Sequence, residues 1–291
     1  MYENIRNTIL EETGRESQIT DREIDIIRRD SGRKEVKRIT YCRAKSKFER
    51  LISEFGEFYF CRYGNLLKLK IERQMIIRFI YLCTFANYDG KIEYGSAKGD
   101  GKLARLKDLQ EILRLSRRET MYTQKVLIEN GLIIVNEDKT ISISPQYAIK
   151  GKVKRRKDLE KSVRIFEEGM QQLYKMAKPT EHKKLAVLIE LLPHINYDHN
   201  VVCFNPTERE LSNIERMTLK DICVAIGYDP THSTRLKREL LRMKVGGKPV
   251  VMISLVEDKH CVFINPSIYY KGHNDESLEH LMGIFKMFEK K

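Results

Sequence analysis

The chain resembles itself, and this duplication limits its fold more than any other feature. Asn87-Tyr88-Asp89 follows the apolar run Met75–Leu82, and Asn196-Tyr197-Asp198 follows another, Leu185–Leu192. Further on, Glu137-Asp138-Lys139 precedes Ile141-Ser-Ile-Ser-Pro145, and Glu257-Asp258-Lys259 precedes Cys261-Val-Phe-Ile-Asn-Pro266. Each stretch closes on a Lys-Gly pair, Lys150-Gly151 or Lys271-Gly272, whose Lys lies five residues beyond the Pro. Three landmarks in one order, at similar spacing, mark two copies of one unit. The second copy is longer, mainly through residues 205–216 and Gly246-Gly247-Lys248-Pro249.

Each copy carries the same succession of local signals. In the first, 68–85 has helical apolar spacing, and Leu106–Leu113 forms a short amphipathic helix. Ser116-x-x-Glu119 is a capping box that starts a further helix, which runs to Asn130 and stops at Gly131. Leu132–Val135 and Thr140–Ser144 then flank a polar turn, the pattern of a hairpin. In the second copy, Thr218-Leu-Lys-Asp221 caps a helix ending at Gly227, and Asp229-Pro230 opens another that continues to about Met243. Val250–Val256 and His260–Ile264 form its hairpin. These signals predict a mainly α fold with small β-hairpins (α+β), built from two tandem winged helix-turn-helix domains joined by a helical linker.

The expected boundaries are a charged, partly helical extension (1–64), a first domain (65–151), a linker (152–178), a second domain (179–272) and a helical tail (273–291). Within the linker, Val163, Phe166, Met170, Leu173 and Met176 fall at helical spacing and predict an amphipathic helix over Asp158–Met176.

Lys plus Arg number 54 against 41 Asp plus Glu, a formal net charge of +13. That excess favours a polyanion as partner, because neutralising phosphates releases counterions. None of the six cysteines stands at Cys-x-x-Cys spacing, so they read as reduced core residues and not as zinc or redox ligands. The first residues carry no apolar signal region and no stretch approaches ~20 apolar residues, which predicts a cytoplasmic chain outside any membrane. No Walker loop, G-x-S-x-G or H-E-x-x-H occurs, the seven histidines are scattered singly, and Tyr269-Tyr270 reads as a packed strand end. Neither an enzyme activity nor a cofactor or metal is expected.

In a helix-turn-helix the second helix enters the major groove. The expected DNA-contacting residues on the first such helix are Arg117, Arg118, Met121, Tyr122 and Lys125, with Thr120, Gln124 and Leu127 turned inward. On the second they are Thr231, His232, Thr234, Arg235 and Arg238, with Leu236, Leu240 and Leu241 on the apolar side. Arginine suits guanine because its fork matches the O6 and N7 acceptors, which singles out Arg118 and Arg235. Lys139 and Lys259 at the hairpin tips, and Lys154, Arg155 and Arg156 in the basic link, are placed to follow phosphates. Both tips also carry Glu-Asp, whose carboxylates repel phosphate, so wing involvement is expected to be modest.

The closing segment Ile264-Asn265-Pro266-Ser-Ile-Tyr-Tyr-Lys271-Gly272 resembles the end of winged-helix domains in RepL-type replication proteins of Firmicute plasmids and phages. Thr234-Arg235 followed by Leu240 is similar to the recognition helix of MarR-like regulators. The resemblance covers about 65–275, and the first copy departs from it with Met121-Tyr122 where the second has Thr234-Arg235. It implies a replication initiator that binds repeated duplex sites and recruits host replication proteins. A transcription regulator acting as a homodimer is the alternative, and a protein-binding adaptor a third.

Overall fold

A computed structural model describes residues 53, 55–95, 101–151, 161–256, 259–272 and 275–288. The fold is mixed α+β, with small antiparallel sheets between helices. After β1 (Phe58–Cys61) and a single helical turn, Tyr63–Leu66, comes α1 (Arg73–Cys83), then the short strands β2 (Glu93–Tyr94) and β3 (Lys102–Leu103). A 3-10 turn leads into α2 (Leu109–Leu113), followed by α3 (Arg117–Glu129), the hairpin β4 (Ile133–Val135) and β5 (Ile141–Ile143), and β6 (Ala148–Ile149). The chain continues through β7 (Val163–Phe166), α4 (Glu167–Met176), α5 (His182–Leu185), α6 (Val187–Glu190), α7 (Leu219–Ala225) and α8 (Ser233–Leu241). A two-residue ladder, β8 (Lys244–Val245) with β9 (Lys248–Pro249), precedes the hairpin β10 (Val251–Val256) and β11 (Lys259–Ile264). The chain then forms β12 (Tyr269–Tyr270) and α9 (Asp275–Phe288).

The repeat seen in the residues is also a repeat of backbone bonding. The Ile143 N–H donates to the Gly90 carbonyl at 2.8 Å, and the Ile264 N–H donates to the Asn200 carbonyl at 3.0 Å. Gly90 (φ +78°) and Asn200 (φ +47°) are both left-handed, a conformation that Gly and Asn adopt at least cost. Each follows an Asn whose own side chain closes the turn: Asn87 Oδ1 accepts from the Asp89 and Lys91 amides, and Asn196 Oδ1 from those of Asp198 and His199. The Ile92 and Val202 amides donate to Ile141 and Val262, and the Ser144 and Asn265 amides to Leu132 and Val250.

One four-stranded antiparallel sheet, in the order β12-β7-β1-β6, joins the copies. Phe60 pairs with Ile149 on one side, Arg164 pairs with Tyr270 on the other, and Phe60 pairs with Arg164 between them. Ile149 and Tyr270 each stand just before the Lys-Gly, so Phe60 and Arg164 are equivalent positions. The pairing pattern of this sheet is therefore approximately two-fold symmetric about the Phe60–Arg164 pair. One large apolar cluster draws residues from both copies, with α1 in its midst, and a small separate one holds Val201, Cys203 and Ile214. Nine of the eleven residues of α1 are buried, as expected of a helix that is apolar on all sides.

Two expectations are corrected, the start of the linker helix and the burial of Leu241. Val163–Phe166 is a strand, so the linker helix starts only at Glu167. Pairing with β1 and β12 prevails there over a spacing that also fits a helix turn. Strand β1 lies before the expected start of the first domain at 65 and supplies the central pairing of the sheet. Leu241, expected on the apolar side of its helix, is 43% exposed because the core takes up Leu236 and Leu240 instead. The tail is helical as expected, with Leu278, Leu281 and Phe285 buried.

Candidate nucleic-acid interface

Helix α3 is positioned by a tight turn. The α2 C-cap, Arg114, is left-handed (φ 54°), and the Leu115 amide reaches back to Gln110. In the second copy Gly227 (φ +70°) holds the same place, and the Tyr228 amide reaches back to Cys223. Both helix ends have six-to-one closure, the Schellman arrangement that stops a helix and turns the chain. Ser116 then caps α3 by accepting from the Glu119 amide at 3.3 Å, and Asp229 caps the 3-10 turn Pro230–His232 that leads into α8 by accepting from the Thr231 amide at 2.8 Å. The capping box at Ser116 is only half closed. Glu119 does not return to the Ser116 amide; one oxygen accepts from the Ser116 hydroxyl and the other pairs with Arg78 at 3.2 Å.

Arg117, Arg118, Met121, Tyr122 and Lys125 are all exposed on one face of α3, while Thr120, Thr123 and Leu127 are buried. Gln124 is half-buried and donates to the Leu106 carbonyl at 2.6 Å, which fastens α3 to the preceding 3-10 turn. Tyr122 is 47% exposed and donates its hydroxyl to Glu72 Oε1 at 2.7 Å. On the other copy Thr231, His232, Thr234, Arg235 and Arg238 are exposed. The Thr231 hydroxyl donates to Asp229 at 2.6 Å, so its first role is local capping. Arg235 pairs with Glu239 through Nε at 3.2 Å. Lys125 pairs more loosely with Glu129 at 3.9 Å.

The acidic hairpin tip of the first copy is internally compensated. Asp138 accepts from the Thr140 amide and hydroxyl and pairs with Lys91 at 3.1 Å. The Thr140 hydrogen bonds foremost, aided by Lys91, lower its pKa to about 2. Asp138 is thus turned back onto its own turn, while Lys139, left-handed at φ 63°, stays exposed at the tip. The backbone of Lys259 lies at the start of β11. Glu257, Asp258, Lys154, Arg155 and Arg156 lie outside the described residues.

Behind these faces lies a set of contacts that the residue pattern did not reveal. Arg78, 3% exposed, donates to Thr123 at 2.9 Å and to Glu119 on α3, and through Nε to His182 Nδ1 at 3.4 Å in the second copy. Burial foremost, with Arg78 beside it, lowers the His182 pKa to about 4. Tyr174 lies against both copies: its ring stacks on Tyr81 at 3.7 Å and approaches His182 at 4.2 Å, and its hydroxyl donates to the Leu113 carbonyl at 3.0 Å. The one available signal was Arg78 itself, a lone charge within the apolar run Met75–Leu82.

No protein-family model, curated protein or solved structure matches the chain. Among the described residues, no group of His, Cys, Asp and Glu is arranged to hold a metal ion, and no helix is long and apolar enough to cross a membrane.

Proposed function

We propose that each copy is a winged helix-turn-helix module and that the protein binds double-stranded DNA with α3 and α8 in the major groove. The observation that carries this reading is the duplicated turn, left-handed at Arg114 and Gly227, which delivers a capped helix with an exposed cationic face in both copies. The net charge of +13 and the outward Lys139 at a hairpin tip agree with it. The duplication lets one chain present two such helices without a second subunit. We favour a plasmid or phage replication initiator working with host replication proteins in the cytosol.

The reading is tested with the full chain and a random-sequence duplex library, followed by sequencing of the retained DNA. The expected outcome is an enriched bipartite sequence whose affinity falls steeply with salt, as release of counterions from several phosphates requires. Retention of no sequence, or an affinity insensitive to salt, overturns it. Placement of the enriched sequence within an origin array separates an initiator from a promoter-bound regulator.

A further inference from the structure

The first two residues of the α1 segment face different copies. Glu72 is the N-cap of α1, yet its side chain makes no cap hydrogen bond to its own helix. Its carboxylate accepts instead from the Tyr122 hydroxyl on the exposed face of α3, and from Gln74. The next residue, Arg73, points into the second copy. It pairs with Glu190 of α6 at 2.8 Å, donates to the Ile226 carbonyl, and lays its guanidinium 4.5 Å from the centre of the Tyr228 ring. Ile226 and Tyr228 belong to the turn that ends α7 and leads to α8, and the Ile226 carbonyl is one of those left open at a helix end. Further along α1, Arg78 holds α3 through Thr123 and Glu119, and α5 through His182. Three side chains of this segment thus tie the first exposed helix and the second turn to one buried rod.

We infer that Glu72, Arg73 and Arg78 are positioning residues that set the separation and phase of the two half-sites on DNA. The inference rests on the DNA-binding reading and deepens it. Two helices joined only through a chain link would accept half-sites at many spacings. Two helices fastened to one packed helix cannot shift relative to each other without breaking these contacts. Arg73 is the most informative of the three, because its fork engages the turn that aims α8 while its own helix stays in the core. Lysine at this position keeps the charge opposite Glu190 but cannot reproduce the planar, many-donor contact with Ile226 and Tyr228.

The test starts from the duplex enriched by the full-length wild-type chain. Variants with one to three base pairs inserted or removed between its halves, and duplexes carrying one half alone, are titrated against wild type, Arg73→Ala, Arg73→Lys and Glu72→Gln. Wild type is expected to lose about tenfold or more in affinity at a one-pair change. Arg73→Ala is expected to bind best about tenfold more weakly, with a spacing profile flat to about threefold, and to bind the single half within about twofold of wild type; Arg73→Lys should lie between. A profile of unchanged shape, lowered uniformly in the variants, makes these contacts stabilising only and overturns the inference. Should Arg73→Ala not fold, the Arg73→Lys and Glu72→Gln profiles decide in the same way. If wild type enriches no duplex, the DNA-binding reading fails and takes this inference with it; if wild type binds a bipartite site but is indifferent to spacing, only this inference fails.

Discussion

Lys150 and Lys271 stand at equivalent positions in the two copies and are accommodated in opposite ways. Lys150 bridges two carboxylates, Glu57 at 2.9 Å and Glu167 at 2.8 Å. Lys271 is 4% exposed and donates to the carbonyls of Leu192 at 2.9 Å and Ile195 at 3.1 Å, with the Tyr63 and Tyr197 rings 5.0 and 4.5 Å away. Burial lowers the Lys271 pKa to about 8, while at Lys150 the two glutamates outweigh burial and raise it. The signs of the two pH effects therefore differ. Between about pH 8 and 10.5 the unfolded chain holds a proton that folded Lys271 has lost, so this residue makes stability rise with pH. Lys150, while its two glutamates are ionised, adds stability at neutral pH that is lost as the pH rises through its raised value. Urea unfolding should show that Lys271→Met removes the rising component and Lys150→Met the falling one. At pH 7, Lys150→Met should cost about 2–3 kcal/mol, less than a fully buried pair because Glu57 is partly exposed.

His182 makes the chain acid-sensitive well above the usual carboxylate range. Its lowered pKa means that the unfolded chain binds one more proton between about pH 6.5 and 4, so stability falls as pH falls through that window. The groups facing it are Arg78, Glu119, Glu181 and the Tyr174 ring. His194, lowered by burial and then by Lys271, acts in the same direction, and Glu190, raised by burial, acts against it. His182→Gln keeps an acceptor for Arg78 and should flatten the wild-type loss by a part that difference melting curves over pH 7 to 4 can read. Identical pH profiles would refute the assignment.

Arg118 and Arg235 should differ from Lys139 in what their loss does to DNA binding. Arg118→Ala or Arg235→Ala should remove about 1–3 kcal/mol of discrimination between specific and nonspecific duplex, measured by competition titration. Lys139→Ala should weaken both alike and lower the salt slope by about one unit. Equal losses on both duplexes for the arginines would reduce them to phosphate contacts.

The two left-handed turn residues offer a reciprocal stability test. Gly227 has open space around an added Cβ, so Gly227→Ala should cost about 1 kcal/mol through backbone conformation alone. Arg114 carries a side chain in the same conformation, so Arg114→Gly should raise stability by about 0.5–1 kcal/mol. Thermal melts of the two variants should move in opposite directions.

Local features were legible in the residues because their causes are local. Thr218 with Asp221, Asp229 before Pro230, and the stop at Gly131 are each decided within a few neighbours, and the structure places them as expected. The four-stranded sheet was not legible, because Phe58–Cys61 is a four-residue run with no alternation to mark it and Val163–Phe166 fits two periodicities. Pairing between residues about a hundred positions apart settled both. The outward face of α3 followed from spacing, but the hold of Glu72 on Tyr122 crosses 50 positions and leaves no local trace.

The Phe60–Arg164 pair has one more consequence. A symmetric pair of identical subunits presents the same surface twice and suits a palindrome. Here one chain carries both halves, and they have drifted apart: Phe60 is paired with Arg164 at the centre of the sheet, and Tyr122 stands where the other half has Arg235. Such a molecule has a head and a tail, and on a duplex it would read in one direction only.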